Sequence, residues 1–118
     1  MANNVREILN DFMGGLQTVG QTNGEQVGAF MNLLTTAYKP GAMDVKTKEL
    51  ISVAIGVYTR CQYCIVYHVY KSFEAGASQE EIMEAAMVSV TFGGGPTMAY
   101  SVTLLKDSIE EFKNEFNK

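Results

Sequence analysis

Apolar residues recur at spacings of three and four along most of this 118-residue chain, and no stretch sustains an apolar/polar alternation of period two. A period near 3.6 keeps one stripe of a helix apolar, whereas a half-buried strand needs a period of two. The pattern therefore predicts an all-α fold of about six helices, built as a single domain over residues 1–118. A first helix carries Val5, Ile8, Leu9, Phe12 and Met13 and is expected to stop or loosen at Gly14-Gly15. A second carries Val27, Phe30, Met31, Leu33, Leu34 and Tyr38. It should end before Lys39-Pro40-Gly41, because proline disfavours helical backbone in the residue before it. Asp44 is the expected N-cap of a third helix reaching about Tyr58, with Leu50, Ile51, Val53, Ala54 and Val57 as its buried stripe.

A break near Thr59-Arg60 separates that helix from a fourth, with Cys61 in its first turn and Gly76 as the residue that ends it. So short a connection forces the third and fourth helices into a central antiparallel hairpin. Ser78 and Glu81 then match a capping box, in which each side chain satisfies the other residue's free backbone donor. The fifth helix presents Ile82, Ala85, Ala86, Val88, Ser89 and Phe92 to the core and stops at Gly93-Gly94-Gly95. Pro96 suits the first position of a last helix, which carries Tyr100, Leu104, Leu105, Ile109, Phe112 and Phe116 inward.

Composition narrows the function classes. With 47% hydrophobic and 19% charged residues the chain has the balance of a globular protein, and no apolar run approaches the eighteen residues of a membrane span. Residues 1–10 lack a basic-then-apolar leader pattern, so a reducing, cytoplasmic compartment is the expectation. A net charge of -4 without a Lys/Arg cluster argues against nucleic acid, whose binding rests on phosphate neutralisation. Neither membrane nor nucleic acid is expected as a partner. A chain of this size that must also enclose a pocket gains from assembling with its own copies.

Both cysteines and the sole histidine fall within the segment Cys61-Gln62-Tyr63-Cys64-Ile65-Val66-Tyr67-His68. On a helix, steps of three and then four residues stack two thiols and an imidazole on one stripe. A thiol reacts as its thiolate, so a base one turn away makes this a candidate redox dithiol. Three other readings compete: ordinary core packing, zinc, and a structural disulfide. Zinc requires further ligands, and the chain has no other Cys or His, so no metal or cofactor is predicted. A disulfide between residues three apart closes too small a loop to stabilise much. The triple glycine lacks the pattern of a phosphate loop and reads as a turn. Tyr58, Tyr63, Tyr67 and Tyr70 flank the stripe, with Tyr63 and Tyr67 as candidate pocket residues. Within the hairpin, Glu49 lies about 15 Å from the turn along one helix and His68 about 10 Å along the other. That places them within about one turn of each other. Glu49 is either a first-turn acid favoured by the helix dipole or a fourth member of the site.

Glu49, eleven residues, Cys61, two, Cys64, three, His68 resembles the EX11CX2CX3H signature of the alkylhydroperoxidase D-like proteins of the carboxymuconolactone decarboxylase superfamily. Ala75-Gly76-Ala77-Ser78-Gln79-Glu80-Glu81-Ile82 is similar to the stretch that follows the active-site helix there, and the likeness spans about residues 25 to 105. The resemblance implies an all-helical fold that assembles as trimers or hexamers, with the dithiol near a subunit boundary. It implies peroxidase or disulfide-reductase chemistry on a peroxide or disulfide substrate, with an external thiol as reductant. It makes Cys64 the attacking thiolate, Cys61 the resolving thiol, and Glu49 with His68 the proton relay. Tyr63 stands where founding members carry a histidine, and a phenol with a pKa near 10 is a poor base at neutral pH. From the residues alone either sulfur could attack, because a helix N-terminus favours a thiolate at Cys61 and His68 favours one at Cys64. Two further readings stand beside this one. A carboxymuconolactone decarboxylase-type lyase would need a cationic pocket, for which Arg60 and Lys71 are the candidates. A non-enzymatic oligomeric module would leave both thiols inert.

Overall fold

A computed structural model describes residues 4–117, which form helices joined by short turns and contain no strand. The elements are α1 (Val5–Gly20), α2 (Gly24–Ala37), α3 (Val45–Thr59), α4 (Gln62–Glu74), α5 (Gln79–Tyr100), a π-helical turn (Ser101–Leu105) and α6 (Lys106–Phe112). The last three run on continuously, so the described residues make five separate helical rods. Helix α3 is central, packing against α4 on one side and α5 on the other, while α4 also meets α1 and α6. The core between them is built from Val5 and Leu9 of α1, Val53 and Val57 of α3, Ile65, Val66, Val69 and Phe73 of α4, Ile82 and Ala86 of α5, and Leu105, Ile109 and Phe112.

Helix ends follow local chemistry. The Asp44 carboxyl accepts the Thr47 N–H at 2.8 Å and starts α3. Ser78 and Glu81 form the reciprocal capping box of α5. At the end of α4, Gly76 has φ 96°, and the Gly76 and Ala77 N–H groups donate to the carbonyls of Phe73 and Ser72. These two bonds close a Schellman motif.

Three expectations are corrected. Gly14-Gly15 does not stop α1, which continues to Gly20. A glycine inside a helix costs only about 1 kcal/mol against alanine and, unlike proline, keeps its hydrogen-bonding N–H. The glycine run of α5 ends nothing outright: helical hydrogen bonding passes through it, and the break is a kink at Gly94, where φ is 63° and ψ is −141°. Pro96 lies just past that kink. The third correction concerns burial. Ile51, Val88, Phe92 and Tyr100 were expected in the core, yet they are 43%, 63%, 79% and 36% exposed. Helices α3 and α5 carry apolar residues on two faces, and the rest of the chain covers just one of them. Ile51, Ile55, Tyr58, Val88 and Phe92 thus surround an apolar cleft of about 410 Å³ on the outside of the molecule. Helix α2 likewise holds no buried residue, and its Phe30, Met31 and Leu33 are exposed.

Candidate functional site

The site grows from the α3–α4 turn. Arg60 ends α3 in the left-handed region, with φ 57° and ψ 40°. There the Arg60 N–H donates to the Val57 carbonyl and the Cys61 N–H to the Gly56 carbonyl. The chain therefore reverses without spacer residues, and Cys61 becomes the N-cap of α4. Gly56 lets the two helices come this close: a Cβ there would lie 3.3 Å from both the Cys64 Cβ and the Ile65 nitrogen.

As N-cap, Cys61 offers its sulfur to the helix end, and Sγ accepts the Cys64 N–H at 3.2 Å. Sγ of Cys61 and Sγ of Cys64 are joined as a disulfide, with their Cα atoms 5.2 Å apart. Sequence spacing placed Cys61 inside the first turn, and the structure puts it one position earlier. That shift is what aims its sulfur along the helix axis at unpaired amide groups.

One turn further along α4, His68 meets Glu49 of α3, with Nδ1 and Oε1 2.7 Å apart. Glu49 is 4% exposed, so the solvated first-turn reading is set aside in favour of a desolvated carboxyl with a specific partner. When Nδ1–H donates to the carboxyl, the Nε2 atom keeps its lone pair free to accept a proton. Tyr38, at the end of α2, stacks on the imidazole at 5.8 Å and 13°, and Tyr67 meets it edge-on at 5.1 Å and 78°. A cleft of about 270 Å³ opens beside the pair, lined by Met31, Leu34, Thr35, Tyr38, Glu49, Tyr67, His68 and Lys71. Burial raises the Tyr67 phenol above its ordinary pKa, which keeps it protonated. For Lys71, burial opposes the charge but the ion pair with Glu74 outweighs it, so the ammonium persists.

All four signature residues therefore sit on one hairpin, grouped as a disulfide and an acid–imidazole pair one helical turn apart. Among the described residues no hydrogen bond joins the two pairs. Tyr67 lines the cleft, whereas Tyr63 is 46% exposed and packs toward Phe12 instead. Tyr58 lies on the outer apolar cleft, and Tyr70 packs between Phe112 and Phe116. No group of three or more Cys, His, Asp or Glu side chains among the described residues is arranged to hold a metal. Sequence reasoning missed Tyr38, which reads there as the last apolar residue of a helix. Nothing in its spacing connects it to His68, thirty residues on.

The model of the carboxymuconolactone decarboxylase family matches residues 25–107, and the chain belongs to that family. A family member from Legionella pneumophila, solved by crystallography, superposes with a TM-score of 0.88 at 33% identity, covering 95% of this chain and 99% of its own. A family member from Thermotoga maritima superposes with a TM-score of 0.63 at 32% identity, covering 86% of this chain and 95% of its own. An uncharacterized protein of Cupriavidus necator is 26% identical over 86% of this chain and 89% of its own length. The all-helical architecture and the alkylhydroperoxidase D-like resemblance agree with these relatives.

Proposed function

We propose that this chain is a dithiol oxidoreductase of antioxidant type, in which Cys61 and Cys64 cycle between thiols and a disulfide. The observation that carries the reading is the joined pair of sulfurs at the start of α4, with the desolvated Glu49–His68 pair one turn away. In the peroxidase cycle, His68 Nε2 takes the proton of the Cys64 thiol while Glu49 orients the ring. The thiolate attacks one peroxide oxygen, the O–O bond breaks, and the departing oxygen takes a proton to leave as alcohol or water. Cys64 is then a sulfenic acid. The Cys61 thiolate, favoured by the helix N-terminus, attacks that sulfur, hydroxide leaves and is protonated to water, and the disulfide forms. An external dithiol restores both thiols by exchange. The relative from Thermotoga maritima has been suggested to take part in an antioxidative response, which agrees with this chemistry.

A second reading, disulfide exchange with Cys61 as the attacking sulfur, draws support from the Cys64 N–H that Cys61 Sγ accepts. A lyase acting on an anionic lactone fits less well, because the cleft holds Glu49 and its one lysine is already paired with Glu74. We further propose that copies of the chain assemble through the outer apolar cleft, since a continuous exposed apolar surface of this kind marks an interaction face. No helix among the described residues is long and apolar enough to cross a membrane.

The test is the rate at which reduced protein loses free thiols with one equivalent of an organic hydroperoxide at pH 7, followed by mass spectrometry. Loss of both thiols far faster than a small-molecule thiol reacts, with a mass lower by two protons, is the expected result. A rate no higher than the small-molecule reference overturns the peroxidase cycle and leaves disulfide exchange.

A further inference from the structure

Helix α2 buries none of its residues, yet its C-terminal end is tied to α3 by hydrogen bonds. The Lys48 ammonium donates to the carbonyls of Ala37, at 3.0 Å, and Lys39, the two residues that flank Tyr38. The Lys48 carbonyl in turn accepts from Ser52 Oγ at 2.8 Å, and the same Oγ is hydrogen-bonded to the Tyr38 hydroxyl. A serine hydroxyl has one proton. Ser52 spends it on the Lys48 carbonyl, so the Tyr38 O–H must be the donor to Ser52. Backbone and phenol of Tyr38 are thereby fixed at both ends by one turn of α3, the turn that also carries Glu49.

The ring so held lies over His68, near parallel at 5.8 Å, while Tyr67 closes on the imidazole edge-on. The imidazole therefore has two aromatic neighbours besides Glu49, one along its face and one at its edge, and both bear on its orientation. We propose that Tyr38, clamped by Lys48 and Ser52, is a positioning residue that keeps the His68 ring aligned with Glu49 and so with the thiol it deprotonates. This rests on His68 acting as the base of the proposed function, and it does not depend on peroxide being the substrate.

His68 is the only histidine, so its ring protons are identifiable by NMR without assignment of the rest of the chain. Thiol reactivity is read with iodoacetamide, which needs a thiolate but no peroxide, so a chain inactive on peroxide still reports on this proposal. In reduced Tyr38→Leu, the His68 ring-proton resonances should move, and alkylation at pH 7 should slow about tenfold, less than the roughly hundredfold or more of a lost general base because His68 is displaced and not removed. The deficit should close near pH 9.5, where a thiol of ordinary pKa, about 8.5, ionises without help. Tyr38→Phe keeps the stacked ring and should restore the rate to within about twofold of the parent. Ser52→Ala, which removes the phenol's acceptor together with the bond to the Lys48 carbonyl and guards against a Tyr38→Leu that fails to fold, should shift the same resonances in the same direction by less. Unmoved His68 resonances in folded variants, moved resonances with an unchanged rate, or a deficit equal at both pH values would each overturn the proposal.

Discussion

Two acid–base pairings hold this molecule together at distant points, and they differ in nearly every physical respect. Glu49 and His68 lie 19 residues apart on the two arms of one hairpin, with side chains 5% and 14% exposed. Arg6 of α1 reaches across to Glu111 and Glu115, more than a hundred residues on, with all three side chains 31–40% exposed. The surface pairing is the better furnished one. Its guanidinium makes two contacts of 2.8 Å and lies 5.0 Å over the Phe112 ring. Water and salt nevertheless screen it, so its stabilising effect is small and its loss tolerable. The buried pair has one contact and is largely shielded from solvent, so removal of either member leaves a poorly solvated polar group. The surface pair ties α1 to the last helical segment, whereas under the proposed function the buried pair orients a base beside a dithiol.

The sharpest break in the comparison is Glu49→Gln. It keeps the size and a hydrogen-bond acceptor for His68 but removes the charge. We expect peroxide-driven thiol loss at pH 7 to fall roughly 10- to 100-fold, short of the full loss of a general base because His68 remains, with the helical circular dichroism unchanged. Unaltered kinetics would take Glu49 out of the mechanism.

Gly56→Ala tests whether the buried pair depends on how closely its two helices meet. The new methyl would sit 3.3 Å from the Cys64 Cβ and the Ile65 nitrogen, neither of which can yield without moving α4. Overpacking of this kind costs about 1–3 kcal/mol, to be read from denaturant unfolding of the reduced protein. An undiminished stability would mean that the hairpin is not limited by this contact.

Arg6→Met should matter least, since the stem that covers Phe112 is largely kept. The melting temperature at pH 7 is expected within about 4 °C of the parent. Its pH dependence carries the information. The hydrogen bond from Arg6 holds the Glu115 carboxyl below its ordinary value. A depressed carboxylate contributes stability that is fully present above its unfolded value and is lost as pH falls through the folded one. The difference between variant and parent should therefore shrink in acid, below the ordinary glutamate range. A difference constant from pH 7 to pH 3 would assign the contact to packing on Phe112 instead of charge.

Much of this was readable from the residue order, and the divisions are instructive. Caps and turns depend on a few neighbouring residues, so Asp44, Gly76 and the Ser78–Glu81 box were legible and stand as expected. The spacing of Cys61, Cys64 and His68 on one helix, and a hairpin level that brings Glu49 to His68, follow from helix geometry alone. Burial was less legible. Ile51, Val88 and Phe92 are apolar in the correct period, but periodicity identifies a face and not what covers it, and here the chain leaves that face open. The Gly14-Gly15 misreading has a different origin, since packing of Val5 and Leu9 anchors α1 and the modest cost of two glycines does not undo it.

The sequence by itself determined an all-helical chain, the hairpin, and the clustering of two thiols, an imidazole and an acid, because each rests on helical period and short connections. The tertiary structure alone decided three things. It made Cys61 a cap whose sulfur faces free amides, it desolvated Glu49 against His68, and it carried Tyr38 from another helix onto the imidazole. Those outcomes depend on how close helices approach and at what angle, which is set by side-chain volume and by glycine at the contact. A one-dimensional pattern does not encode such distances.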